Sequence, residues 1–356
     1  MRTISGFFKI TLAIAVLTIL VTNAAASMTT KTVDGDNGGA PPARPCFDFY
    51  GSGRTTFATF RGQPGVNIIW RLQNNGGAGA DVVPYGLSAT DSITPGYFDA
   101  DNKADFNVWR PGTTANPAAT FLLSPTTAPN TLVGIQWGRH DGTASASNDS
   151  AGFEGDYDGD GRTDPTVVRI IGGTHNWYIL RSGSSTFSAI AFGNSATDVA
   201  LSGADYTGDG KDEIAVYRTG AGSDTFLIGD TNTGALVRAQ RWGEFDSDYV
   251  VIGDFTGDRR ADFVVWRGVV GGANSGFWHI LENGGAAQFS YKFGVGGTGG
   301  DLAVCGDYTG DGKSDMAVWR PSNQTFYWAS VSGTPTQGQQ QFGVAGDTPM
   351  GVLKVY

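Results

Sequence analysis

Glutamate is nearly missing from this 356-residue chain: of 34 acidic residues only Glu154, Glu213, Glu244 and Glu282 are glutamates, leaving 30 aspartates. A generic acidic surface would draw on both residues, so the bias points to metal loops and turns. Charge as a whole is sparse, at 16% of residues, against 54 glycines, which suits many short strands joined by tight turns. Histidine is scarcer still. His140, His175 and His279 stand in three unrelated contexts, and His279 sits in an aromatic strand where a core role outweighs a ligand role. No nucleophile motif, zinc pattern or phosphate loop is present, and Cys46 and Cys305 have no convincing histidine partner. Catalysis therefore finds little support, and the expectation is a protein that is not an enzyme.

Long apolar runs are absent, with one exception. Ile10 to Val21 is apolar but too short to span a bilayer, and it lies between basic Arg2 and Lys9 and the small residues Ala24-Ala25-Ala26. Residues 1–26 read as a secretory signal, 27–43 as a disordered linker, and the mature protein as exported, with the outer surface or periplasm as alternatives. Loss of Arg2 and Lys9 takes the net charge from −10 to −12. That balance argues against nucleic acid and anionic membranes as partners.

What the chain does contain is a repeated acidic loop. In Asp156-Tyr157-Asp158-Gly159-Asp160-Gly161-Arg162-Thr163-Asp164, carboxylates stand at positions 1, 3, 5 and 9, with glycines where the backbone must turn. Odd spacing in a tight loop aims alternate side chains at one centre, and hard oxygen ligands at that density suit calcium. Most of the loop recurs from Asp205, Asp254 and Asp307.

A larger pattern surrounds each loop. An apolar strand follows and ends in Arg61, Arg110, Arg169, Arg218, Arg267 or Arg320; later comes an aromatic-Gly pair, at Gly86, Gly138, Gly193, Gly243, Gly294 and Gly343. Both markers count six units, whose loops begin at positions 48, 97, 156, 205, 254 and 307. About four short strands per roughly 50 residues is the arithmetic of a β-propeller. The longest unit holds a Ser/Ala/Asp-rich insertion, Arg139 to Glu154, expected as a surface loop. The chain ends on Asp347 to Tyr356, which resembles the lead-in strand of a seventh unit and would complete the first blade of a closed ring. The expected fold is all-β, with six four-stranded blades closed by the chain ends; seven blades is the alternative. Cys46 and Cys305 precede positions 48 and 307 by two residues each, so a disulfide between them would fasten that seam; two small buried thiols is the other reading.

Loop, arginine strand and aromatic-Gly pair together resemble the FG-GAP, or VCBS-type, repeat of integrin α-subunits and many secreted bacterial proteins, over residues 44–356. The resemblance implies calcium loops between the first two strands of a blade. Position by position it implies Asp156, Asp158, Asp160, the Arg162 carbonyl and Asp164 as ligands. The matching sets are Asp205, Thr207, Asp209, Lys211 carbonyl and Glu213; Asp254, Thr256, Asp258, Arg260 carbonyl and Asp262; and Asp307, Thr309, Asp311, Lys313 carbonyl and Asp315. Threonine at the third position is a weaker ligand, and Arg259 replaces a loop glycine, which costs backbone strain if positive φ is needed there. The second loop begins with Tyr97 and keeps Asp99, Asp101 and Asp105 as a fifth candidate site. The first has Ser52 and Thr56 in place of acids and is expected to be metal-free. The literal Gly-Ala-Pro triplet of the family is absent.

The expected function is a calcium-stabilised, non-catalytic extracellular binding or adhesion module for protein partners. A calcium-dependent lectin is the alternative and a polysaccharide lyase a remote third. Nine tryptophans would suit sugar stacking, but Trp109, Trp266 and Trp319 share one repeat position, which reads as blade packing. The repeated arginine is expected to pair with Asp91, Asp198, Asp248, Asp301 and Asp347 and to lock neighbouring blades.

Overall fold

The computed structural model describes residues 46–352, apart from 64, 78, 129–130, 221–223, 245–247, 269–275, 286, 298 and 332–335. The expected signal (1–26), the expected linker (27–43) and the last four residues lie outside the described residues. Six antiparallel sheets of four strands each make up the fold. After the first loop come β1 (Phe57–Gly62), β2 (Asn67–Gln73) and β3 (Asp81–Leu87). The second sheet is β4 (Ser92–Ile93), β5 (Phe106–Arg110), β6 (Ala118–Ser124) and β7 (Val133–Arg139), and the third β8 (Asp149–Ser150), β9 (Thr166–Ile171), β10 (Thr174–Leu180) and β11 (Phe187–Asn194). The fourth holds β12 (Asp198–Ala204), β13 (Glu213–Arg218), β14 (Thr225–Gly229) and β15 (Leu236–Arg241). β16 (Asp248–Val251), β17 (Phe263–Gly268), β18 (Gly276–Leu281) and β19 (Gln288–Lys292) form the fifth. The sixth is β20 (Leu302–Val304), β21 (Met316–Arg320), β22 (Thr325–Ala329) and β23 (Gln337–Gln341), after which β24 (Thr348–Pro349) returns to β1.

The sheets are the blades of a six-bladed β-propeller, and the seven-blade alternative falls. The first blade is completed by the chain end, with Thr59 opposite Pro349 and Phe60 opposite Thr348. Burial follows position in the blade. Second strands such as β13 and β17 are apolar on both faces because a blade packs against each, whereas outermost strands such as β23 alternate exposed and half-buried residues. Core clusters therefore lie between blades: one joins Tyr217 and Phe226 of the fourth to Val250 and Phe263 of the fifth.

Each blade is tied at one corner by a buried aspartate. Arg110–Asp91, Arg169–Asp149, Arg218–Asp198, Arg267–Asp248 and Arg320–Asp301 approach at 2.5–2.7 Å, and Arg61–Asp347 at 3.5 Å, each aspartate side chain being fully buried. These pairs join the innermost and second strands of one blade, so the arginine does not itself bridge two blades. The bridge runs through the same carboxylate, which accepts the N–H of Leu87, Arg139, Asn194, Glu244, Val295 or Val344. Those residues follow the aromatic-Gly pairs as the chain leaves the preceding blade. The glycine there has φ of 84–108°, and a β-carbon on Gly193 would meet Val216 at 2.8 Å.

One reading needs correction here. The 139–154 stretch is not only a surface loop: it contains β8 and Asp149, the arginine partner of its blade. The tryptophan reading gains detail, since the indoles of Trp109, Trp266 and Trp319 donate to the carbonyls of Trp137, Phe293 and Phe342 within their own blades.

The seam between first and last blades carries the Cys46–Cys305 disulfide, with Cα atoms 6.0 Å apart at a sequence separation of 259. Blocking thiols before reduction should therefore leave both cysteines unlabelled by intact mass. In the chain-entropy account, Cys305→Ser should cost about 5.5 kcal/mol of stability, read by denaturant unfolding. Two labelled thiols in the unreduced protein would contradict the seam.

Candidate metal centres

Each acidic loop joins an innermost strand to the second strand of its blade; in the first blade it leads directly into β1. Its shape comes from its own carboxylates. The first-position aspartate accepts the N–H of the fourth residue on one oxygen and of the sixth on the other: Gly159 and Gly161 on Asp156 at 2.8 Å, Gly208 and Gly210 on Asp205 at 2.5 and 2.8 Å. Asp254 and Asp307 do the same. The ninth-position acid accepts the N–H of the second residue, as Asp164 does from Tyr157, Glu213 from Tyr206, Asp262 from Phe255, Asp315 from Tyr308 and Asp105 from Phe98. The fifth-position aspartates Asp101, Asp160, Asp209, Asp258 and Asp311 accept the N–H of the seventh residue.

These bonds fix the left-handed turns. The sixth position has φ of 80–82° in Gly161, Gly210 and Gly312, and Arg259 is forced to 68° in the same place. The strain expected at Arg259 is therefore present. In the first loop Thr56 stands in for the missing acid, its hydroxyl accepting the N–H of Phe49 at 3.0 Å.

Two loops bring three acids together. Oxygens of Asp156, Asp158 and Asp164 lie within 4.8 Å of one another, as do those of Asp205, Asp209 and Glu213. Asp160 is drawn aside, paired with Arg162 and with the hydroxyl of Ser182. Elsewhere among the described residues the acids do not gather as threes. Asp99 and Asp101 take the hydroxyls of Thr127 and Thr126, while Thr256 and Thr309 turn toward Asp262 and Asp315 at 3.4 Å. Thr207 donates to Glu213 at 2.9 Å.

The electrostatics fit a cation. Burial, and behind it the neighbouring carboxylates, push Asp156 and Asp262 up to about 6, and Asp164, Glu213 and Asp315 up to about 7. Asp105 rises to about 6, and Asp205, Asp254 and Asp307 are raised in the same direction, burial again leading. An all-oxygen donor set of mutually repelling carboxylates, of which Asp164 and Glu213 are buried, is the chemistry calcium takes.

No family model matches the chain, and no curated protein matches it. Among solved structures, TolB from Acinetobacter baumannii aligns at 13% identity with a TM-score of 0.43, covering 83% of this chain and 63% of that one. The present chain thus spans less than two thirds of that protein's length. The metal reading stands on the loops alone.

Some site logic lies outside the expected residues. The eighth loop residue donates its N–H to the first-position carbonyl of the preceding blade's loop: Ala104 to Asp48, Thr163 to Tyr97, Asp212 to Asp156, Ala261 to Asp205, Ser314 to Asp254 and Thr55 to Asp307, all at 2.6–2.8 Å. Six such bonds close the circle of loops. Thr163, Asp212 and Thr55 return the bond through their side chains, accepting the N–H of Tyr97, Asp156 and Asp307.

The raised carboxylates give a pH signature. Their folded values lie above the unfolded ones near 4, so the cation-free fold holds extra protons and loses stability as pH rises from about 4 to 7. In EDTA the melting temperature should fall between pH 5 and pH 8, and the rise on adding calcium should be larger at pH 8. A calcium effect that is greatest at pH 5 would contradict the site.

Proposed function

We propose that this chain is a secreted, calcium-stabilised propeller of the FG-GAP or VCBS kind, acting as a non-catalytic extracellular binding or adhesion module for a protein partner. The observation that carries the calcium part is the convergence of three carboxylates in each of two loops of the same sequence pattern. The metal's role in this reading is structural: it neutralises the buried acids of a loop that has no apolar core of its own, and so strengthens the joints between blades. Export is supported by the disulfide, which persists in oxidising compartments. Among the described residues no helix is long and apolar enough to cross a membrane.

A protein partner is favoured over a glycan by where the aromatic residues lie. Trp70, Trp177, Trp278 and Trp319 are fully buried, and none of the other five tryptophans is exposed, so none offers an open platform for a sugar. Large apolar side chains are exposed at both ends of the blades: Val66 and Ile171 in hairpins between second and third strands, Leu87 and Val344 at the crossovers, and Val82, Phe187 and Leu236 at the starts of outermost strands.

Metal analysis of calcium-equilibrated protein after gel filtration should find roughly two to five calcium ions per chain. At millimolar calcium, with extracellular-type affinity at each site, EDTA should lower the melting temperature by roughly 5–10 °C. A metal-free protein with an unchanged melt would end the calcium reading. Calcium-dependent binding to one sugar class on a glycan array would replace the protein partner with a lectin role.

A further inference from the structure

The seventh loop residue is basic in all six loops: Arg54, Lys103, Arg162, Lys211, Arg260 and Lys313. Only its carbonyl enters the expected ligand sets, yet its side chain has a consistent destination. At five of the six junctions the stem lies against the fourth residue of the preceding blade's loop, a glycine with φ of 67–85°. A β-carbon on Gly51 would meet Lys103 at 3.2 Å, on Gly159 Lys211 at 2.9 Å, on Gly208 Arg260 at 2.8 Å, on Gly257 Lys313 at 2.5 Å, and on Gly310 Arg54 at 2.6 Å. Lys313 goes on to donate from Nζ to the Thr256 carbonyl, the third position of the loop it covers, at 2.8 Å.

The sixth junction is different. The second loop has Ala100 in the fourth place, a methyl group where the other loops have none. Arg162, which would cover it, turns back on its own loop and pairs with Asp160. The side chain's course thus follows the identity of a residue in the neighbouring blade, which an untethered surface cation would not do.

A positive charge carried on a stem that lies against a loop of carboxylates has two opposite effects. It offsets their mutual repulsion when no metal is bound, and it repels a divalent ion by the same Coulomb term. The geometry points to these basic residues as built-in counter-ions, each stabilising the cation-free loop of the preceding blade while weakening that loop's hold on calcium. The loops are thereby coupled in one direction around the ring, with a break between the second and third. The affinity half of this inference rests on the calcium reading above; the counter-ion half does not.

Lys211→Met tests it, because Lys211 covers the loop that gathers Asp156, Asp158 and Asp164, and the substitution leaves its own carbonyl in place. Calorimetric titration with calcium should show one class of sites tightened roughly three- to tenfold relative to wild type. The variant should also melt lower than wild type in EDTA. Lys211→Arg should behave as wild type in both measurements. Lys292→Met, which removes an exposed charge at the end of β19 outside every acidic loop, should leave calcium affinity unchanged. Equal or weaker calcium binding by Lys211→Met, or an equal shift in Lys292→Met, would overturn the affinity claim. If wild type takes up no calcium, the calcium reading fails and the affinity claim with it. The counter-ion claim is still decided by the EDTA melt: a Lys211→Met protein as stable as wild type there would overturn it.

Discussion

The backbone bond from the eighth residue of one acidic loop to the first residue of the preceding one is the joint on which the ring depends. It makes the loops headed by Asp156, Asp205, Asp254 and Asp307 two things at once, candidate metal sites and the contacts that set one blade against the next. In these four, the first-position residue that presents its carbonyl to the neighbour also uses its carboxylate to hold its own loop's turns. Disorder in the loop therefore cannot stay local, because the carbonyl that the next blade needs moves with it. This is why charge within the loops bears on the stability of the whole fold rather than on a surface turn.

Side-chain size at the joint follows from the same approach. The residue just before each loop faces the eighth residue of the next, and it is a glycine wherever that residue is larger. A β-carbon on Gly155 would meet Asp212 at 2.6 Å, on Gly253 Ser314 at 2.2 Å, and on Gly306 Thr55 at 2.4 Å. Where the eighth residue is Ala261, the facing position can carry a methyl group and is Ala204. At the opposite corner of the blade, the buried aspartate and its arginine do the equivalent work, holding the crossover that leaves one outermost strand and enters the next innermost one. A central cavity of about 520 Å³ remains between the innermost strands of the first four blades, bordered by Ile93, Phe153, Leu201 and Met350.

The fold was legible in the sequence because its markers recur in phase and are chemically rare. Aspartate at alternate loop positions, arginine at a strand end and glycine after an aromatic residue each answer a fixed local geometry, so their spacing counts blades. Cys46 and Cys305 pointed to the seam for the same reason. Asp149 escaped because the insertion places it 11 residues after Gly138, against 4 to 7 residues after the paired glycine for the other five aspartates. The direction of the arginine was misjudged because phase alone does not say whether a partner lies on the same blade. The joints themselves were hidden in positions that look unremarkable singly: threonine, alanine, serine and aspartate at the eighth place share no chemistry, since the shared element there is a backbone N–H. The basic seventh position was visible as a pattern, but its target was not, because that target is a glycine 52 to 56 residues earlier for most loops, or across the chain ends for Arg54.

The most direct test of the account is amide hydrogen exchange at the eighth loop residues, measured with calcium and with EDTA. The account predicts that Asp212 and Ala261 lose much of their protection when calcium is removed. Their acceptors, Asp156 and Asp205, head the two loops that gather three acids each. Ala104, whose acceptor Asp48 heads the acid-poor loop, should change least. Protection that is equal with and without calcium at all three amides would mean that the loops join the blades without any help from a metal, and would contradict the central claim.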